Sequence, residues 1–206
     1  MTTANAPAPS QQRKKLSLSQ LRRWAQQERN ISEALVTMLA ECASVCLDAQ
    51  RHGASLVLYV EHEESLSGIL KKLDSLEYEL RYLQVTDTMK NSYKEEESAT
   101  EDGACAIALL LLKIEKGLSF LERSVRKTGF DYWLGNRPSS GSNIFANKTR
   151  LEVSGIRNGD NSHINNRKRI KVNQTQQSDH TRLPVYVVVV EFSRPVAHIV
   201  LRQVNP

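Results

Sequence analysis

Gly129-Phe-Asp-Tyr-Trp-Leu-Gly135 and Thr149-Arg-Leu-Glu-Val-Ser-Gly155 are the two segments on which the reading of the fold turns. The first is a run of β-forming residues between two glycines. The second alternates polar and apolar residues and ends at Ser154-Gly155, which is expected to break the chain. The Pro/Ser/Gly/Asn-rich segment 136–147 between them reads as a hairpin loop, so the two runs are predicted to be neighbouring strands. Upstream, Leu118–Arg123 is a third, short strand candidate. Before it, Ala104–Leu112 is apolar all round, which predicts a buried helix, with Thr100 as its cap and Gly117 as its stop. Downstream, His163–Gln177 is polar and basic and predicts an exposed helix. Pro184-Val-Tyr-Val-Val-Val-Val-Glu-Phe-Ser193 has the continuous β-branched character of a central strand covered on both faces. The order is helix, three strands, helix, strand, which defines an α/β class with a mixed central sheet. His198–Val204 is expected to add an edge strand.

Three further divisions follow. Residues 1–15, rich in Ala, Pro, Gln and Lys, are expected to be a disordered arm. Residues 16–53 form a helical extension, broken near Asn30–Ser32, in which Leu35, Met38, Leu39, Cys42, Val45 and Cys46 recur at helical spacing before Gly53. Residues 54–206 form the α/β domain, with its core at about 97–193. In that domain Ser55–Val60 is a strand candidate, 61–84 reads as helix then strand, and Val85–Tyr93 as a short helix.

The composition restricts the function. The 206 residues are 40% hydrophobic, enough for an ordinary core, and the formal charge of +5 is compatible with a polyanionic partner. Three cysteines do not make a disulfide framework, and the N-terminal residues lack the apolar core of a signal peptide. The apolar run at 104–112 is too short to cross a bilayer. A cytoplasmic protein with no membrane partner is expected.

Two carboxylates stand out. Asp131 lies in an apolar strand, where an acid is costly to bury unless it is paired or liganded. Glu152 lies on the predicted neighbouring strand. If the strands pair, the two acids present hard oxygen ligands to one point, as Mg²⁺ requires. Arg157, Arg167, Lys168, Arg169 and Lys171 accompany a single acid, Asp160, and suit contacts with the phosphates of DNA. Glu191 is expected to be an ion-pair partner, and Cys42 and Cys46 to pack in the core.

This element order, with Asp on the second strand and Leu151-Glu152-Val-Ser154 on the third, resembles the PD-(D/E)xK restriction-endonuclease-like superfamily. The strings TGFDYWLG and RLEVSG resemble a group of bacterial proteins within it. The resemblance implies an α-β-β-β-α-β nuclease core and Mg²⁺-dependent phosphodiester hydrolysis on DNA. Asp131 and Glu152 would be metal ligands, and Glu101 or Glu97 of the first helix an additional one. The family's third-strand lysine is replaced here by Ser154. Lys168 or Lys171 of the following helix would then supply the missing charge, with Lys148 and Lys127 as further options. The same substitution motivates an alternative: an inactive nuclease-fold module that binds nucleic acid, or binds a protein partner or itself through the N-terminal helices.

Overall fold

The computed structural model describes residues 13–28, 30–53, 55–66, 68–135 and 148–204. The predicted hairpin loop at 136–147 and the arm at 1–12 lie outside the described residues. One eight-stranded mixed sheet organises the chain, in the order β1-β3-β2-β8-β7-β6-β5-β4. The strands are β1 (Lys14–Ser17), β2 (Ser55–Leu66), β3 (Ile69–Arg81), β4 (Ser119–Arg123), β5 (Tyr132–Gly135), β6 (Thr149–Ile156), β7 (Val185–Glu191) and β8 (Val196–Arg202). The helices are α1 (Ser19–Glu28), α2 (Glu33–Ala49), α3 (Asp87–Ser92), α4 (Glu96–Lys116) and α5 (Asn161–Gln174), with a 3-10 turn at Thr175–Thr181.

Helix α4 lies in the middle of the core. Ala104 to Leu112 are all buried, the outcome expected for a helix apolar all round. It begins at Glu96 rather than near Thr100, because the Glu95 side chain accepts from the amides of Glu97 and Ser98. Gly117 ends it in the left-handed conformation at φ 67°. One hydrophobic cluster joins α4 to α2, β2, β5, β6 and β7, so residues 16–53 share their core with the α/β unit. The Cys42/Cys46 stripe is buried in that core, and α2 packs on α4. It is therefore not available as a surface for a partner.

Strand β7 is central, with Val187 to Val190 fully buried between β8 and β6. It runs parallel to β6 and antiparallel to β8. Four expectations are corrected. The segment 61–84 contains no helix. Strand β2 continues to Leu66, and Gly68, at φ 81°, turns the chain into β3. Leu66, Ile69, Leu73 and Leu76 imitate a helical stripe, but they are exposed on an extended hairpin and pack no core. Strand β8 is not an edge. It pairs in parallel with β2 on its other side, Glu61 opposite His198. Ser154-Gly155 does not break the chain, since β6 runs through to Ile156. Residues 14 and 15, expected to belong to a disordered arm, lie in a strand instead, because Lys14–Ser17 pair with β3 and bury Leu16.

Candidate active site

Strand β5 accompanies β6 for only three residues, Tyr132–Leu134 opposite Leu151–Thr149. Beyond Leu151 no strand among the described residues pairs with the outward-facing amides of β6, and buried amides require acceptors. Two carboxylates take over that role. The Asp131 amide donates to the Leu151 carbonyl at 2.8 Å, and Asp131 Oδ2 accepts from the Val153 amide at 2.8 Å. One step further along, Glu101 Oε2 accepts from the Gly155 amide at 3.1 Å. Gly155 has no side chain because α4 leaves no room for one: a Cβ there would stand 2.3 Å from the Thr100 carbonyl oxygen.

Alternation turns Leu151 and Val153 into the core beside α4 and sends Glu152 and Ser154 to the face covered by α5. Glu152 is fully buried. Its Oε1 accepts from Lys171 Nζ at 2.6 Å and from the Gln174 amide at 3.0 Å, while its Oε2 is buried without a partner. The carboxyl groups of Asp131 and Glu152 are close enough that each shifts the other. Burial first, and then the charge on Asp131, push the Glu152 carboxyl up to about 7, against the opposing pull of Lys171. Burial likewise raises Asp131, opposed by the Val153 amide and by Lys171.

This arrangement gives stability a definite dependence on pH. The unfolded chain loses the Glu152 proton near 4.5, and the folded protein holds it to about 7. The contribution is therefore fully present below about pH 4.5 and is lost as pH rises toward 7. In urea titrations in EDTA, the stability of Glu152→Gln relative to wild type is expected to rise across that window. A difference that stays flat between pH 4.5 and 8 would contradict the raised pKa of Glu152.

Ser154 stands where the third-strand lysine was sought. Its hydroxyl donates to Glu101 Oε1 at 3.2 Å and accepts from Arg167 at 2.7 Å. Arg167 also reaches Glu101, at 3.5 Å. An open cavity of about 460 Å³ lies beside this group, lined among others by Glu97, Glu101, Arg157, His163 and Arg167.

The predicted residues thus separate. Asp131, Glu152 and Lys171 come together. Glu101 lies one step along the same edge, engaged with Ser154, Gly155 and Arg167, and does not complete a three-ligand group with the two acids. Lys168 is not at the site. It is buried, with its amine 2.5 Å from Glu63 Oε1 and 3.4 Å from His198 Nδ1, so it reaches neither the Asp131–Glu152 pair nor a phosphate. Arg157 turns toward α2 and α4, donating to the Cys46 sulfur at 3.2 Å and pairing with Glu96 at 3.6 Å. Arg169 is exposed, and Arg167 and Lys171 are partly so, which leaves a narrower basic surface than the sequence suggested. Glu191 serves the chain turn after β7, accepting from the amides of Gly159, Ser193 and Arg194.

Gln174 was missed, although its spacing of three from Lys171 places both on one helix face. A group of Glu61, Glu63 and His198 was also missed, and it is the three-residue cluster of potential metal ligands found among the described residues. No local pattern announces it, because the residues meet only when β8 docks on β2. Comparison with protein-family models, with curated proteins and with solved structures returns no match. Among the described residues, no helix is long and apolar enough to cross a membrane.

Proposed function

We propose that this chain has a restriction-endonuclease-like core, α4-β4-β5-β6-α5-β7, and hydrolyses phosphodiester bonds in DNA with Mg²⁺. The observation that carries this reading is Lys171 Nζ seated 2.6 Å from the carboxylate of Glu152, beside Asp131. Helix α5 thereby supplies the amine that Ser154 cannot. The donor set fits the ion: two hard carboxylates, one with a buried oxygen, Glu152 Oε2, that has no other partner. Bound there, Mg²⁺ would polarise a phosphoryl oxygen and lower the pKa of water. The chain's own residues do the rest. Asp131 and Glu152 supply the carboxyl oxygens, Lys171 offsets their charge, and Gln174 fixes the orientation of Glu152. Arg167, half-exposed above Ser154, is placed to meet a phosphate. The cytoplasm suits the three free, buried thiols.

The test is cleavage of plasmid and linear duplex DNA in Mg²⁺ or Mn²⁺ by wild type, Asp131→Asn, Glu152→Gln and Lys171→Ala. Each substitution is expected to lower the rate by about 10²–10⁴-fold, as loss of a positioned acid–base or charge-stabilising group does. Undiminished cleavage by both carboxylate variants would overturn the assignment.

A second reading rests on a different observation. Glu152 is fully buried with Lys171 already on it, and Glu101 is engaged with the β6 backbone and Arg167. Such a site describes a nuclease-fold module without chemistry, which binds DNA through Arg167, Arg169 and neighbouring cations. It predicts no cleavage in either metal, together with DNA binding that weakens steeply with salt.

A further inference from the structure

On the face of the sheet covered by α5, but under β2 and β8 instead of β6, lies a second cluster of ionisable side chains. Strand alternation puts Glu61 and Glu63 on this face, while His62 between them turns to the opposite face and meets Glu115 of α4. The parallel register of β2 and β8 places His198 directly opposite Glu61. One carboxylate oxygen from each glutamate and Nδ1 of His198 lie within 4.8 Å of one another. His198 Nδ1 is 3.0 Å from Glu63 Oε1 and 3.8 Å from Glu61 Oε2. Glu63 and His198 are buried, while Glu61 is partly exposed at the rim.

We propose that Glu61, Glu63 and His198 form a binding site for a divalent transition-metal ion, separate from the Asp131–Glu152 pair. Two carboxylates and one imidazole are a mixed oxygen and nitrogen set, suited to Zn²⁺ or Mn²⁺ rather than to Ca²⁺ or a soft ion. Three protein ligands leave at least one coordination position open. An open cavity of about 340 Å³, lined by Glu61, Asn161, Asn165, Lys168, Arg194 and His198, gives that position a route to solvent.

Lys168 is the cation that meets these ligand atoms in the metal-free protein. Its ammonium lies 2.5 Å from Glu63 Oε1 and 3.4 Å from His198 Nδ1, a cation among the same atoms that would hold the metal. Its ammonium balances the Glu63 carboxylate there, and a bound ion would take over that charge. Lys168 also lines the cavity, the side from which an entering ion would displace its amine. In this arrangement Lys168 occupies the metal-free site and competes with the ion.

The experiment is calorimetric titration of the full chain with Zn²⁺ and with Mn²⁺, in a Glu152→Gln background that removes the other carboxylate pair from the count. Co²⁺ is used in parallel, and its visible absorption reports the coordination of the bound ion. One ion per chain is expected. His198→Ala or Glu63→Gln should weaken binding by more than about 100-fold, since even outer-shell partners are worth ~10–100-fold in affinity. Lys168→Met, which removes a like charge beside the ion, should bind about tenfold tighter. This gain cannot be produced by misfolding. Absence of binding by both the Glu152→Gln protein and its Lys168→Met derivative would overturn the proposal. So would binding that His198→Ala and Glu63→Gln leave unchanged. Neither outcome depends on whether the chain cleaves DNA.

Discussion

Arg150→Met is expected to destabilise the folded protein by about 2–4 kcal/mol, for the loss of charge-assisted hydrogen bonds and of the donor to a buried carbonyl. The guanidinium of Arg150 is completely buried in the middle of the α5 face. It donates to the Thr175 carbonyl at 3.1 Å, to Ser178 Oγ at 2.6 Å and to the Leu183 carbonyl at 2.7 Å, and it faces Asp179 at 3.5 Å. One side chain thus joins β6 to the 3-10 turn and to the chain entering β7. Burial lowers its pKa, and Asp179 partly opposes that shift. Methionine fills most of the volume but leaves the buried Leu183 carbonyl without this donor, at about 1–3 kcal/mol, while the Thr175 carbonyl keeps a bond from Ser178 Oγ at 3.2 Å. Asp179 itself is not orphaned, because Arg202 holds both of its oxygens. The loss should therefore come from the backbone acceptors, and Arg150→Lys, which restores one or two bonds, should recover part of it. Urea denaturation within about 1 kcal/mol of wild type for Arg150→Met would mean that the network contributes little net stability.

Gly155→Ala is expected to be nearly as damaging, for a steric reason. The added Cβ would stand 2.3 Å from the Thr100 carbonyl oxygen and 2.7 Å from the Thr100 carbonyl carbon. Both are backbone atoms of α4, which is packed on its other side against α2 and cannot retreat. Overpacking of this kind costs about 1–3 kcal/mol and sometimes more, and the contact with main chain argues for the upper end. At about 2–4 °C per kcal/mol for a chain of this size, the melting temperature should fall by roughly 6–12 °C. The displacement would also pull the Gly155 amide from Glu101, so the environment of Ser154 and Arg167 should change with it. A melting temperature within about 2 °C of wild type would show that α4 and β6 can separate freely.

The parts of the fold that could be read in advance are those whose signal is local. The all-apolar helix at Ala104–Leu112 and the Val187–Val190 run each state their burial in consecutive residues, whereas the alternation around Glu152 hides that both faces of β6 are buried. The β2–β3 hairpin was misread because its leucines sit at helical spacing on a surface where no core selects among periods. The interior position of β8 was not legible because its second neighbour, β2, lies far back in the chain. The site shows the same division. Asp131 was found because it is an acid in an apolar strand, and Glu152 because it sits on the strand predicted to neighbour it. Lys168 and Lys171 could not be told apart, since residues three apart on a helix point in nearly the same direction until the sheet beneath is known. Once α5 is laid across the sheet, that small divergence sends Lys171 to Glu152 on β6 and Lys168 to Glu63 on β2.

This divergence has a thermodynamic corollary. Helix α5 is one continuous helix with an ammonium engaged in each of two acidic clusters. A side-chain rotation can release either amine alone, whereas a roll of the whole helix strains both pairs together. Any ligand that rolls α5 on binding at Glu152 must therefore change the affinity of whatever binds at Glu63. By linkage, a ligand at Glu63 would alter binding at Glu152 by the same factor.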